Sequence, residues 1–511
     1  MVSRALFTKL RAVRGRQQQS TFSSAHPEKC PLRELKRKGP LALLREPNDE
    51  LVRELTESPQ LSMESLPLLS SCLPPSHLCT EDFTWIKGNI FSIKEVLLYP
   101  PSTMCIACSV DKENPLFHLD SLLYLAFQHM ATHRSVEAKY VKVGHSRLSF
   151  LGQFVSELAL VEYFLLRYPR DVTACIRERI YGLTSRRMLP HWIESAGLRG
   201  IVFAAKHMKE VDIRTKFKIC RQSFSFCIFV QAAVYHHQQN VFWAILGVSY
   251  LYMGMHEVYR VLFEVFGLDP DAEHCQPSPR LRYKDVDKLY PEFEQEPLHW
   301  KDVTGCRGSG SSLFTKQMLF RACVPPGMSR FRGNLWEINS LPTVLEVFKY
   351  PLQFEDEDAA LAISRNGELE LGLQLCFCDP LAYKLEHPRF CNERLEYLGQ
   401  RIQDLVMAER LVTKHLDAPG SWLHEKHRRL LFNRVCGKYL REFKLQSHII
   451  YRDASEEQIF RGKNSEKFAS NKVSQALLGL GYVVYGKGEV TRLMSKVFKF
   501  ERRKAKPKRR K

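Results

Sequence analysis

Residues 391–406 read CNERLEYLGQRIQDLV. On a helix, Glu393, Glu396 and Gln400 fall at i, i+3 and i+7 and share one face. That is the spacing a carboxylate face would use to hold magnesium, except that the third position is an amide. A bare E-x-x-E also describes an ordinary amphipathic helix carrying two solvated glutamates. What surrounds the stretch decides between these.

The chain repeats it. Arg147–Leu158 laid on Arg394–Leu405 gives six identities in twelve positions, and Ala244–Asp269 on Ala476–Glu501 gives ten in twenty-six. The offsets are 247 and 232, so the first copy carries fifteen extra residues between the two blocks. Matching blocks in the same order predict a duplicated domain, with copies at 115–269 and 366–501. Strong helical periodicity from about residue 115, with Leu119, Leu122, Leu123, Leu125 and Ala126 on one face, predicts an all-α fold.

Around the copies lie other segments. Residues 1–27 are rich in Arg, Ser and Gln without an acid, which suits an organellar transit peptide or, alternatively, a basic arm that stays on the protein. Residues 28–114 read as an irregular appendage, and 270–365 as a linker too long for a simple connection. The linker's Gly308–Ser312 patch is not a phosphate-binding loop, because no G-K-[ST] follows it. Residues 502–511 form a basic tail.

Net charge is +19, which points to a polyanionic partner. Most of it sits at the ends: +5 in residues 1–27 and +8 in 499–511, leaving +6 for the rest. The body is only mildly basic. Fifteen scattered cysteines suit reduced thiols rather than a disulfide framework, and neither Cys105–Cys108 nor Cys376–Cys378 has a second pair at zinc spacing. No membrane span is expected: the apolar runs 224–235 and 241–255 are short and interrupted by His236–Asn240.

The run Asn392–Gly399 resembles, residue for residue, the signature helix of the ribonuclease III family, and Thr132-His133-Arg134-Ser135 resembles the segment after that family's first helix. The resemblance implies two helical domains packed as an intramolecular pseudo-dimer across their signature helices. It also implies that magnesium would be held by four acids per domain. Laid on this chain, the four positions are Glu396, Gln400, Lys472 and Gln475 in the second copy, and Ser149, Gln153, Asn240 and Trp243 in the first. One carboxylate remains among eight. Divalent metal needs hard oxygen ligands, and an ammonium ~4 Å from such an ion, at an effective dielectric near ~20, is repelled by about 8 kcal/mol. Both sites are therefore expected to be inactive, with no metal and no cofactor. Glu393 and Glu396 are expected to form ion pairs with Lys472 or with arginines at the domain interface.

Finer stretches, Glu264–Gly267, Phe320–Met328 and Asp404–Leu411, resemble the tandem degenerate members of this family in plant chloroplasts that act in group II intron splicing. That resemblance implies a non-catalytic RNA-binding factor in the chloroplast stroma, or alternatively the mitochondrion, working with other nucleus-encoded splicing proteins. Expected phosphate contacts are Arg186, Arg187, Lys426, Arg428, Arg429 and Arg434, with Arg330 and Arg332 in the linker and Arg502, Arg503 and Lys504 in the tail. The alternatives are a structural protein of an organellar ribosome and a residual metal-dependent endoribonuclease around Glu393 and Glu396.

Overall fold

A computed structural model describes residues 80–98, 115–127, 136–169, 171–185, 188–198, 201, 224–278, 299–305, 315, 317–323, 335–348, 359–380, 391–432, 435–451 and 463–498. The fold is all-α. Its helices are α1 (Thr80–Val96), α2 (Pro115–Phe127), α3 (Val136–Arg167), α4 (Thr173–Thr184), α5 (Met188–Ser195), α6 (Phe224–Met253), α7 (Met255–Arg260), α8 (Trp300–Gly305), α9 (Leu335–Asn339), α10 (Leu341–Phe348), α11 (Ala359–Phe377), α12 (Glu393–Lys414), α13 (Gly420–Phe432), α14 (Val435–Glu442), α15 (Lys463–Tyr485) and α16 (Lys487–Arg492). Among the described residues there is no strand, only an isolated parallel bridge between Cys378 and Ile450.

The quoted stretch opens α12. Glu393 and Glu396 occupy its first turn, where negative charge complements the unpaired N–H groups, and Lys414 occupies the last. Leu395, Leu398, Ile402 and Leu405 are buried at spacings of three and four, the inward stripe of an amphipathic helix. The matching stretch of the first copy lies in α3. Each of the two packs on a long apolar helix that follows it, α3 on α6 and α12 on α15.

Glycine permits that approach. A Cβ on Gly152 would lie 1.7 Å from the Trp243 carbonyl oxygen, and one on Gly399 1.8 Å from that of Gln475. From the facing helices, Gly247 and Gly479 meet the Leu148 and Leu395 carbonyls at 2.4 and 2.2 Å by the same measure. The two helix pairs thus make the same contacts at the same sequence offsets. Both α6 and α15 end at a glycine with positive φ, Gly254 at +75° and Gly486 at +80°, a region that side-chain-bearing residues avoid.

α3 and α12 also pack on each other, through contacts that come in reciprocal pairs. The buried Arg147 guanidinium donates to the carbonyls of Val412, His415 (2.5 Å) and Ala418 (3.1 Å), at and beyond the end of α12. Arg394 donates to Leu165 (2.6 Å), Tyr168 (3.3 Å) and Asp171, at the end of α3. Every residue of the second set lies 247 from its counterpart in the first. Each arginine satisfies carbonyls that a helix end leaves without intrahelical partners. Glu162 and Glu409 repeat the logic, accepting from Tyr482 and Tyr250 of the opposite copy. Such pairing is what a two-fold interface between identical subunits looks like, here within one chain.

Residues 80–96, expected to belong to an irregular appendage, are helical and joined to α2 by a buried Lys94–Asp120 ion pair (2.5 Å). α1 and α10 serve their bundles alike: Arg260 donates to the Leu97 carbonyl and Arg492 to that of Phe348, each arginine also paired to a glutamate one turn back. His236–Asn240, expected to separate two apolar runs, lies inside the uninterrupted α6. Among the described residues one segment, Val143–Arg167, is long and apolar enough to cross a membrane, but 89% of its apolar window is buried inside the protein. Its hydrophobicity is that of a core helix wrapped on most sides by its neighbours.

Candidate functional site

In the second copy, the α12–α15 contact brings the four signature positions together. Glu396 is 8% exposed. Its Oε1 accepts from Gln400 Nε2 at 3.3 Å, and the same nitrogen donates to Gln475 Oε1 at 3.0 Å. Burial pushes the Glu396 carboxyl above its ordinary value; Lys472 and Arg177 oppose the shift, and Glu393 adds to it. Lys472 and Arg177 act on Glu396 through charge, and the side-chain hydrogen bond to Glu396 comes from Gln400.

Arg177 was missed in the sequence reading. It stands on α4, part of the first copy, with its guanidinium 4.8 Å from the centroid of the Tyr397 ring. Its counterpart 247 residues on, His424, meets Phe150, the counterpart of Tyr397, edge-on at 4.7 Å. Each signature helix is therefore touched, one residue after its first metal-ligand position, by a side chain from the other copy.

The first copy's positions have drifted further. Ser149 Oγ donates to Asn240 Oδ1 at 3.4 Å, and Gln153 turns along its own helix to Glu157 Oε1 at 3.1 Å. Trp243 packs against the core. Glu157 is engaged across the seam by Arg401, which also lies 3.4 Å from Asp404. Asp404 is half-buried at the seam, and loss of hydration there raises its carboxyl to about 7 despite Arg401. His427 donates from Nε2 to the Asp404 carbonyl (3.1 Å) and stacks on Phe154 at 4.3 Å. Burial pushes its imidazole down to about 4.

These residues do not fit magnesium. The second copy offers one carboxylate, two amides bonded to each other and a nearby ammonium; the first offers a hydroxyl, two amides and an indole. Among the described residues, no group of three or more His, Cys, Asp or Glu side chains is placed to hold a metal ion. Cys376 and Cys378 are buried thiols outside any disulfide, and burial raises both well above their ordinary range, which leaves little reactive thiolate.

Of the expected phosphate contacts, Lys426, Arg428 and Arg429 lie together on α13. Arg428 and Arg429 are exposed and share the Glu425 carboxylate. Lys426 Nζ sits 5.8 Å from the Trp422 ring centroid. Trp422, a large exposed aromatic, was also missed; its helical spacing to Lys426 and Arg429 (i, i+4, i+7) was the available signal. Arg186, Arg187, Arg330, Arg332, Arg434, Arg502, Arg503 and Lys504 lie outside the described residues, as does Cys105–Cys108.

No family model matches the chain. Whole-protein relatives do. It is 48% identical to the ribonuclease III domain-containing protein RNC1, chloroplastic, of Arabidopsis thaliana, over 90% of this chain and 82% of that protein. The proteins of the same name from Zea mays and Oryza sativa are 47% and 46% identical, each over 90% of this chain and 84% of theirs.

Proposed function

Because the chain belongs to the family of chloroplastic ribonuclease III domain-containing proteins, we propose that it is a non-catalytic RNA-binding protein of the chloroplast. In this reading it holds structured or double-stranded RNA and promotes group II intron splicing within ribonucleoprotein particles, alongside other nucleus-encoded splicing factors. One observation carries the loss of catalysis. Where α12 and α15 meet, Glu396 faces Gln400, Gln475 and the charge of Lys472 rather than three further carboxylates.

The Gln475 amide oxygen already accepts from Gln400, and neutral amide oxygens replace the charged carboxylates that divalent metal needs. The ammonium adds repulsion worth several decades of metal affinity. What remains is a scaffold. Its two copies, clamped by Arg147 and Arg394, form an intramolecular pseudo-dimer whose surface presents cations such as Lys426, Arg428 and Arg429 to a backbone read by shape and phosphate.

The test is incubation of the purified full chain with duplex RNA in magnesium or manganese. Binding without cleavage is expected. A metal-dependent product that disappears in Glu396→Ala would refute the loss of catalysis. RNA recovered with the protein from chloroplasts should be enriched in intron sequence; recovery of ribosomal RNA alone would replace the splicing role with a ribosomal one.

A further inference from the structure

The two copies differ on one helix face. α4 and α13 begin at positions 247 apart, Thr173 and Gly420, and each packs beside the seam. The outer stripe of α4 is covered by the chain that follows the first copy. There the Ser278 N–H donates to Glu178 at 2.8 Å, and a Cβ on Gly182 would lie 2.4 Å from the His274 carbonyl oxygen. Acid holds this cover down. Asp271 pairs with Arg167 and accepts from the Tyr168 hydroxyl at 2.6 Å.

The second copy has lost that complementarity. At the offset of 232, Asp271 and Glu273 become Arg503 and Ala505, while Arg167 and Arg179 on the body become, at 247, Lys414 and Lys426. Attraction between acid and base is replaced by like charge. The stripe of α13 that corresponds to the covered one is exposed: Trp422 at 42% and the side chain of Arg429 at 73%. His415 meets Trp422 edge-on at 4.8 Å and Lys426 Nζ lies 5.8 Å from its ring centroid, which sets the indole beside a cation. Aromatic faces flanked by cations take single-stranded nucleic acid by stacking a base and pairing its phosphate.

We infer that the Trp422–Lys426–Arg429 stripe is a binding site for an unpaired nucleotide of RNA, the base stacked on Trp422 and the backbone phosphate held by the two cations. This rests on the RNA-binding reading above and adds to it a preference: RNA with unpaired nucleotides next to a helix over a perfect duplex.

Fluorescence anisotropy with two labelled RNAs tests it, one a perfect duplex and one the same duplex interrupted by unpaired nucleotides. The full chain should bind the interrupted RNA more tightly. Trp422→Ala should weaken that binding about five- to hundredfold and leave the perfect duplex within about twofold. Trp422→Phe, which keeps an aromatic face, should retain most of the affinity, with unchanged circular dichroism in both variants. If Trp422→Ala binds both RNAs as tightly as the unsubstituted chain does, the site is overturned while RNA binding stands. An equal loss on both RNAs would overturn it too. If the unsubstituted chain binds neither RNA, the RNA-binding reading itself fails.

Discussion

Arg394→Met should destabilise the protein by about 3–5 kcal/mol. The guanidinium is buried and donates hydrogen bonds to the carbonyls of Leu165, Tyr168 and Asp171 of the other copy. Two effects oppose each other. Burial costs the charged group several kcal/mol of hydration, a cost seen in the lowered pKa that burial imposes despite Cys323, Asp171 and Cys391. Against it stand charge-assisted bonds worth about 1.5–3 kcal/mol apiece, made to carbonyls that have no helical partner. Methionine removes the hydration cost and fills most of the volume, but it strands the carbonyls of Leu165 and Asp171 in an apolar seam, while that of Tyr168 keeps the Asp171 N–H at 3.2 Å. Orphaned acceptors at about 1–3 kcal/mol apiece outweigh the relief. Urea unfolding followed by far-ultraviolet circular dichroism measures the change, and Arg147→Met, which strands the counterpart carbonyls of Val412 and Ala418 while that of His415 keeps the Ala418 N–H, should cost a similar amount. A loss below about 1 kcal/mol in both variants, the scale of an ordinary net hydrogen bond, would refute the clamp: the buried charges would then merely break even, and the seam would be held by apolar packing alone.

Gly399→Ala and Gly152→Ala should each be severely destabilising, since the new methyl would lie 1.8 or 1.7 Å from a backbone oxygen of the facing helix; thermal unfolding indistinguishable from the unsubstituted chain would mean the helix pairs are not in contact there. The buried pair at the seam predicts opposing pH slopes. Asp404, raised to about 7, contributes stability that is present below the unfolded carboxyl range and lost as pH rises toward 7. His427, lowered to about 4, is buried neutral, so its contribution is present above the unfolded imidazole range and lost as pH falls toward 4. His427→Phe should therefore leave stability falling between pH of about 4 and 7, and Asp404→Asn should leave it rising with pH up to about 6.5; parallel urea titrations in which both variants follow the same pH slope would contradict these burial effects.

The sequence by itself determined the helical class, the repeat and the residue types at the eight signature positions, one of them a carboxylate. Those features are local: a signature helix, its neighbouring glycines and the residue types at fixed spacings survive without any knowledge of what lies opposite. Gln400, Lys472 and Gln475 could be read as non-ligands before it was known that Gln400 bonds to Gln475. Only the tertiary structure decided what the two copies do to each other. Arg147 and Arg394 look like ordinary cations of an amphipathic helix, and nothing within a few residues of either says that it caps a helix end some 220 to 270 residues away. The same holds for Arg177 over Tyr397, and for the face of α4 that is covered while its counterpart on α13 is exposed. Contacts of that separation depend on the pseudo-two-fold packing of whole helices, whose free energy is shared among many side chains and leaves no pattern at any single position.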